Sequence, residues 1–270
     1  MSIDVLNKRI RWLIGVVIFA GRRPLCDLIS FALLLVILSG VTSGSTFFPP
    51  SVAVPEKLIY DLTWTGIKAG SATLEVMNDG DHVKIFSTAV SAPWVSVFYR
   101  VDNRVECTLS RTSGGTGFQP LRYRIKIREG RHRRDKEVTF AHDNTTAIYV
   151  DYLKNERKEF EINPPVFDPL SGFYRLRSLP LAVGHPTFLT IFDSKKVWNV
   201  EVQVLKKERI SLPAGPVNTV LVRPLMQSEG IFSRKGDILI WLTDDDRRVP
   251  VKMQTKVAIG SVTAQIVSGL

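Results

Sequence analysis

Residues 121–128 read LRYRIKIR, with Arg122, Arg124, Lys126 and Arg128 at the even positions and Tyr123, Ile125 and Ile127 at the odd ones. A period of two is that of an extended chain, whose side chains leave the backbone on opposite sides in turn, and a helix would scatter those four cations around its circumference. The stretch is read as a strand with one basic and one apolar face. The same alternation recurs upstream. Leu58, Tyr60, Leu62 and Trp64 share a face, as do Ala72, Leu74 and Val76 before the turn Asn78-Asp79-Gly80-Asp81. Residues 82–90 form a third strand, and in 101–109 Val105, Cys107 and Leu109 alternate onto one face. Downstream, extended segments are predicted at 136–141, 146–153, 158–162, 187–192 and 197–210, the last split by a turn near Lys206-Lys207, and then at 217–226, 237–242, 249–257 and 261–267.

Two stretches depart from this pattern. In 93–99 (PWVSVFY), Trp94, Val97 and Phe98 fit one side of a short helix. The stronger helix signal is Asp168 to Arg177, where Asp168 suits the N-cap and Pro169 the first helical position, which needs no N–H. Leu170, Phe173, Tyr174 and Leu176 give this helix an apolar side that must pack on a sheet. The fold class is therefore all-β: a large curved antiparallel sheet, or an open or closed barrel, of about twelve strands with one or two short helices.

The first 45 residues lie outside that fold. Arg22 and Arg23 precede the apolar run 28–41, and Thr42, Ser43, Gly44 and Ser45 follow, the order of parts in a secretory signal peptide. Cleavage is expected near Ser43 or Ser45. A membrane span needs about 20 apolar residues, more than this run holds, so an uncleaved inner-membrane anchor is the second choice. The earlier apolar stretch from Trp12 to Ala20 is also too short, and a start site further downstream would account for it. Residues 46–55 (TFFPPSVAVP) read as an extended lead-in, and 56–270 as one β-rich domain. The expected location is the periplasm or another exported compartment.

The chain carries 36 basic and 26 acidic residues, for +10. Lys8, Arg9, Arg11, Arg22 and Arg23 against Asp4 and Asp27 place +3 of this in residues 1–45, leaving +7 for the remainder. Export argues against a nucleic-acid partner and for lipid headgroups or acidic envelope polymers, including a peripheral membrane contact. The four stripe cations, continued by Arg131, Arg133, Arg134 and Lys136, form a single-sign ladder that either faces solvent or meets an anionic surface.

Signals for catalysis are weak. His82, His132, His142 and His185 have no ligand spacing, no metal or cofactor is expected, and Ser171 lacks the setting of a nucleophile elbow. Asp244-Asp245-Asp246, followed by Arg247-Arg248, reads as a hairpin turn in preference to a cation loop. Cys107 is expected to be buried and inert, and Cys26 precedes the apolar run, unlike a lipoprotein cysteine. In 238–242 (ILIWL) both strand faces are apolar, so both are covered or one faces a cavity.

The segments 58–70 (LIYDLTWTGIKAG), 168–177 (DPLSGFYRLR) and 236–253 (GDILIWLTDDDRRVPVKM) together resemble the exported bacterial proteins grouped as domain of unknown function 3108, over about Pro55 to Leu270. The resemblance implies a β-rich exported domain and assigns no catalytic residue or cofactor. Gly172 stands where the pattern leads one to expect alanine. The expected function is binding or carrying a lipid or other amphipathic anionic envelope molecule, with Tyr60, Trp64, Phe173, Tyr174 and Trp241 lining an apolar groove and Arg124, Lys126 and Arg128 meeting a headgroup. The alternatives are an assembly factor that binds another envelope protein or the wall, marked by a filled interior and an exposed apolar patch, and a hydrolase using Asp168, Asp244 or Asp245.

Overall fold

A computed structural model describes residues 52–111, 117–193, 195–226, 238–256 and 260–270. The leader, 1–45, and the lead-in up to residue 51 lie outside the described residues. The strands are β1 (Glu56–Trp64), β2 (Ile67–Asp79), β3 (His82–Ser91), β4 (Asp102–Arg111), β5 (Phe118–Glu129), β6 (His132–Phe140), β7 (Thr146–Asp151) and β8 (Glu156–Glu161), then β9 (Thr187–Asp193), β10 (Lys196–Leu212), β11 (Gly215–Met226), β12 (Ile238–Thr243), β13 (Pro250–Lys256) and β14 (Ser261–Ser268). Helix α1 is Pro93–Ser96 and α2 is Pro169–Leu176.

The described residues hold fourteen strands, as many as the extended segments read from the sequence and close to the figure of about twelve given for the fold class. Strand β2 begins earlier than its alternation shows, at Ile67, because pairing with β1, joined by β3 from Gly70 on, holds the chain extended. The turn expected at Lys206-Lys207 is absent. Strand β10 runs unbroken for 17 residues, with an irregularity between Val204 and Lys206 that lets one long hairpin with β11 bend without ending.

All fourteen strands form one sheet in the order 8-7-6-5-4-3-2-1-14-13-12-11-10-9, and each neighbouring pair is antiparallel. Two meanders, β1–β8 and β9–β14, are joined where the first strand pairs with the last. The sheet curls until β8 and β9 approach. Phe167, on the segment leaving β8, makes a parallel bridge to Ile191, and its N–H donates to the Thr190 carbonyl at 3.0 Å while its carbonyl accepts from Phe192 N–H at 2.8 Å. The rings of Phe160 and Phe192 sit 5.5 Å apart and Glu156 pairs with Lys195 at 2.6 Å, so the seam is bridged by side chains and one chain segment.

The connection between the two meanders carries α2 into the concave side. Leu170, Tyr174 and Leu176 are buried there with residues of both meanders in one continuous apolar cluster. Asp168 caps the helix as its position predicted, accepting from the backbone N–H of Leu170 at 2.8 Å and of Ser171 at 3.0 Å. Gly172 marks the close approach of α2 to β9, since a Cβ there would overlap the terminal methyl of Ile191. Alternate connections of an antiparallel meander emerge at the same end. The β1–β2, β3–β4, β5–β6, β7–β8 and β9–β10 connections thus share one end, the turn end, while α2 enters from the other.

Candidate functional site

The eight residues expected to form one site fall on two sides of the sheet. Tyr60 and Tyr174 are fully buried on the concave side: the Tyr60 hydroxyl donates to the Pro250 carbonyl at 2.8 Å, and the Arg177 guanidinium lies 5.1 Å from the Tyr174 ring centre. Phe173 is half-buried and meets Tyr174 edge-on, and Trp64 is half-buried at the end of β1. Trp241 lies on the opposite face from Ile240 and Leu242, covered by Lys252, whose ammonium stands 4.6 Å from the ring centre, and held by Glu208, which accepts from the indole N–H at 2.8 Å. Both faces of 238–242 are therefore covered by the protein itself. Where a groove was expected on the concave face, α2 and these ring systems are packed.

Arg124, Lys126 and Arg128 project from the outer wall, since Tyr123, Ile125 and Ile127 on the same strand are buried. The ladder is single-sign along β5 but not across the sheet. Register sets Arg124 beside Glu106 of β4 and Glu137 of β6, and Lys126 beside Arg104 and Asp135. Arg124 pairs with Asp135, lies 3.7 Å from Glu137, and stacks 4.1 Å from the centre of the Tyr152 ring. Arg122 bonds Glu137 at 2.7 Å. Arg134 and Lys136, expected to extend the stripe, alternate to the other side of β6 beside Ile127 and Ile125, and burial there lowers the Lys136 pKa.

Between β4 and β5 this wall has a depression of about 270 Å³, lined by Arg104, Glu106, Arg124 and Lys126. Three cations face one carboxylate. Arg124 Nη1 is buried with no hydrogen-bond partner among the described residues, while the rest of the guanidinium is engaged by Asp135 and the Tyr152 ring. A buried guanidinium N–H without an acceptor costs about 1–3 kcal/mol, which an anionic oxygen would recover. Arg104, whose guanidinium also lies 5.3 Å from the Phe86 ring centre, is invisible to a reading of β5 alone.

Two polar clusters in the interior were not foreseen as clusters. Arg177, fully buried at the end of α2, makes a two-pronged pair with Glu56 at 2.7 and 2.8 Å and donates twice more to the Arg247 carbonyl. Asp168, besides capping α2, accepts from Ser171 Oγ at 2.5 Å and from the Cys107 thiol at 3.0 Å. Burial, then the Asp168 charge, push the Cys107 pKa well above that of a free thiol. Cys107 is therefore expected to resist a disulfide reagent in the native protein and to react once urea unfolds it. Peptide mapping of the labelled site checks this, and native-state labelling at the rate of free cysteine would contradict it.

Of the acids considered for hydrolysis, Asp168 has no exposed surface, and Asp244 is paired with Lys207 at 2.8 Å and Arg248 at 3.2 Å. Asp245 accepts from Thr243 Oγ1 and the Arg248 backbone N–H, fixing the β12–β13 turn. Among the described residues no three His, Cys, Asp or Glu side chains gather as metal ligands would.

A single curled antiparallel sheet with a helix inside defines a β-barrel-like protein. Among solved structures the chain resembles the β-barrel-like protein of domain of unknown function DUF1849 from Brucella abortus, at 14% identity and a TM-score of 0.50, over 80% of this chain and 97% of that one. The chain belongs to the family described as Protein of unknown function (DUF3108), which it matches over residues 59–267. No curated protein matches it.

Proposed function

We propose that this is an exported envelope protein that binds an amphipathic anionic molecule, with the anionic group held on the outer wall in the depression of Arg104, Arg124 and Lys126. The unsatisfied Nη1 of Arg124 carries the reading. Arg104 and Lys126 are cross-strand partners, so a phosphate or carboxylate seated between them meets cations from two adjacent strands. The barrel interior has no part in this reading, because Tyr60 and Tyr174 are buried in the apolar cluster that fills the concave side and Trp241 lies on the other face of the sheet.

The test is a titration of the protein with inorganic phosphate and with a water-soluble, short-chain phosphatidylglycerol, followed by amide NMR. Shifts confined to residues around 104, 124 and 126 are expected, with the lipid binding more tightly than phosphate. Lys126→Gln, at an exposed side chain, is expected to weaken binding by about tenfold, the value of one charge-assisted hydrogen bond. Absence of shifts with both ligands would sink the proposal.

A further inference from the structure

We infer that the turn end of the barrel is a docking face for an anionic phospholipid bilayer. The inference goes beyond the wall depression and stands without it, because its residues are others. The first observation is the construction of α1. Val95, Tyr99 and Val101 form a small buried cluster of their own, joined by Ala69 and Ala92, and Gly130 packs its backbone against the Tyr99 ring. That cluster fixes the helix. Ser91 and Ser96 share a hydrogen bond at 2.7 Å, and the Trp94 indole donates to the Lys68 carbonyl at 2.9 Å. The anchor then presents Trp94, Val97 and Phe98 to solvent, with Ile67 exposed at the adjoining start of β2. Trp94 and Phe98 touch each other, with ring centres 5.9 Å apart, Val97 and Ile67 stand largely exposed, and held together the four form a patch of the kind that marks an interaction site.

The second observation is the distribution of charge between the ends. Antiparallel topology brings alternate connections together, and the sequence sorts them. At the turn end lie Lys68, Arg100 and Lys195, paired with Asp61, Asp102 and Glu156, and Arg131, Lys154 and Lys196, interleaved with the apolar group of α1 and with exposed Tyr152 and Leu153 on the β7–β8 connection. The opposite end carries Asp79 and Asp81 between β2 and β3, Asp143 between β6 and β7, and Asp244 to Asp246 between β12 and β13, the last three followed by Arg247 and Arg248 in the same turn. A barrel charged in this way orients in the field of an anionic surface with its turn end forward.

Aromatic and aliphatic side chains ringed by Lys and Arg are the composition of a membrane interface, where tryptophan and tyrosine rest at headgroup level and cations meet phosphate. A protein partner would need complementary relief, whereas a bilayer requires only that one end present both chemistries together. Geometry also links this face to the wall. Arg104 and Lys126 stand about three residues from the turn end of β4 and β5, or about 10 Å at the rise of an extended chain, within reach of headgroups once the end is seated.

The experiment is co-sedimentation with vesicles of pure phosphatidylcholine and of phosphatidylcholine mixed with phosphatidylglycerol. Wild type and variants are prepared alike as the full protein, so that any contribution of residues 1–45 is common to all. Wild type is expected to sediment with the mixed vesicles and to be released by salt. Val97→Asp, outside the small cluster, is expected to lower partitioning by about tenfold with unchanged thermal unfolding, and Arg100→Gln with Arg131→Gln by about fivefold per cation. Lys126→Gln separates the two proposals, since it is expected to lose phosphate binding yet keep most vesicle binding. Equal sedimentation of Val97→Asp and wild type overturns the inference, as does binding no stronger to mixed vesicles than to phosphatidylcholine. A wild-type dimer that Val97→Asp converts to monomer overturns it too, and assigns the face to a second copy of the chain.

Discussion

Glu56→Ala is expected to destabilise the protein by about 3–5 kcal/mol, the cost of leaving one member of a buried ion pair uncompensated. Arg177 and Glu56 are both almost wholly buried, and the guanidinium uses both terminal nitrogens on the two carboxylate oxygens. Without Glu56 the cation would keep only the Arg247 carbonyl and the Tyr174 face, neither of which carries a formal charge. The pair joins the first residue of β1 to the residue that ends α2, and Arg247 brings in the β12–β13 turn, so three distant parts of the chain meet there. A urea midpoint that falls at unchanged slope is the expected readout. The double replacement Glu56→Leu with Arg177→Met, which removes both charges, is expected to regain most of the loss, because well-packed apolar substitutes for buried pairs are often neutral. If Glu56→Ala costs less than about 1 kcal/mol, the pair is solvated in solution and the packing described for α2 is wrong.

Much of the fold was legible because strand alternation reports burial directly. LRYRIKIR has Tyr123, Ile125 and Ile127 buried and its even residues on the outer wall, and Cys107 lies on the apolar side with Val105 and Leu109 as its spacing implied. The cap of α2 was legible for a related reason: Asp-Pro is a local signal, and the interaction it makes spans three residues. What escaped was set by distance along the chain. Glu56 and Arg177 are 121 residues apart and neither sits in a recognisable pattern.

The candidate site escaped in the same way. A strand read alone shows its own four cations, and only register reveals that Glu106, Asp135 and Glu137 lie beside them. The basic ladder is thereby largely matched by acids, and three cations to one carboxylate remain only in the lining of the depression. The charged turns illustrate the converse. Each was visible in the sequence as an unremarkable loop, and their meaning depends on the antiparallel order that brings Arg100, Arg131, Lys154 and Lys196 to one end and the turns of Asp79, Asp81 and Asp143 to the other.

Asp168→Ala is the second large effect expected, above about 3 kcal/mol when loss of the cap is combined with the groups left unpaired. Two backbone N–H donors and the Cys107 thiol would lose their acceptor in a fully buried place, while Ser171 Oγ keeps a contact with the carbonyl of residue 168. Asp168→Asn is the more informative change. It retains one oxygen for the helix N–H groups and sets an amide where the other oxygen receives Cys107 and Ser171, at a cost of about 1–3 kcal/mol. It also removes a titration. Burial raises the pKa of Asp168, and the hydrogen bonds from Cys107, Ser171 and the helix backbone offset that only in part. A carboxyl that holds its proton more tightly when folded favours the native state at low pH, so its contribution falls as pH rises from the ordinary carboxylate value through the raised one, and is level above it. Wild type should therefore lose stability relative to Asp168→Asn across that window. Urea midpoints of the two proteins measured against pH test this: parallel curves would mean that the four donors offset the burial of the charge in full and leave the Asp168 pKa unchanged by folding, and a rise of wild type relative to Asp168→Asn would mean that they outweigh it.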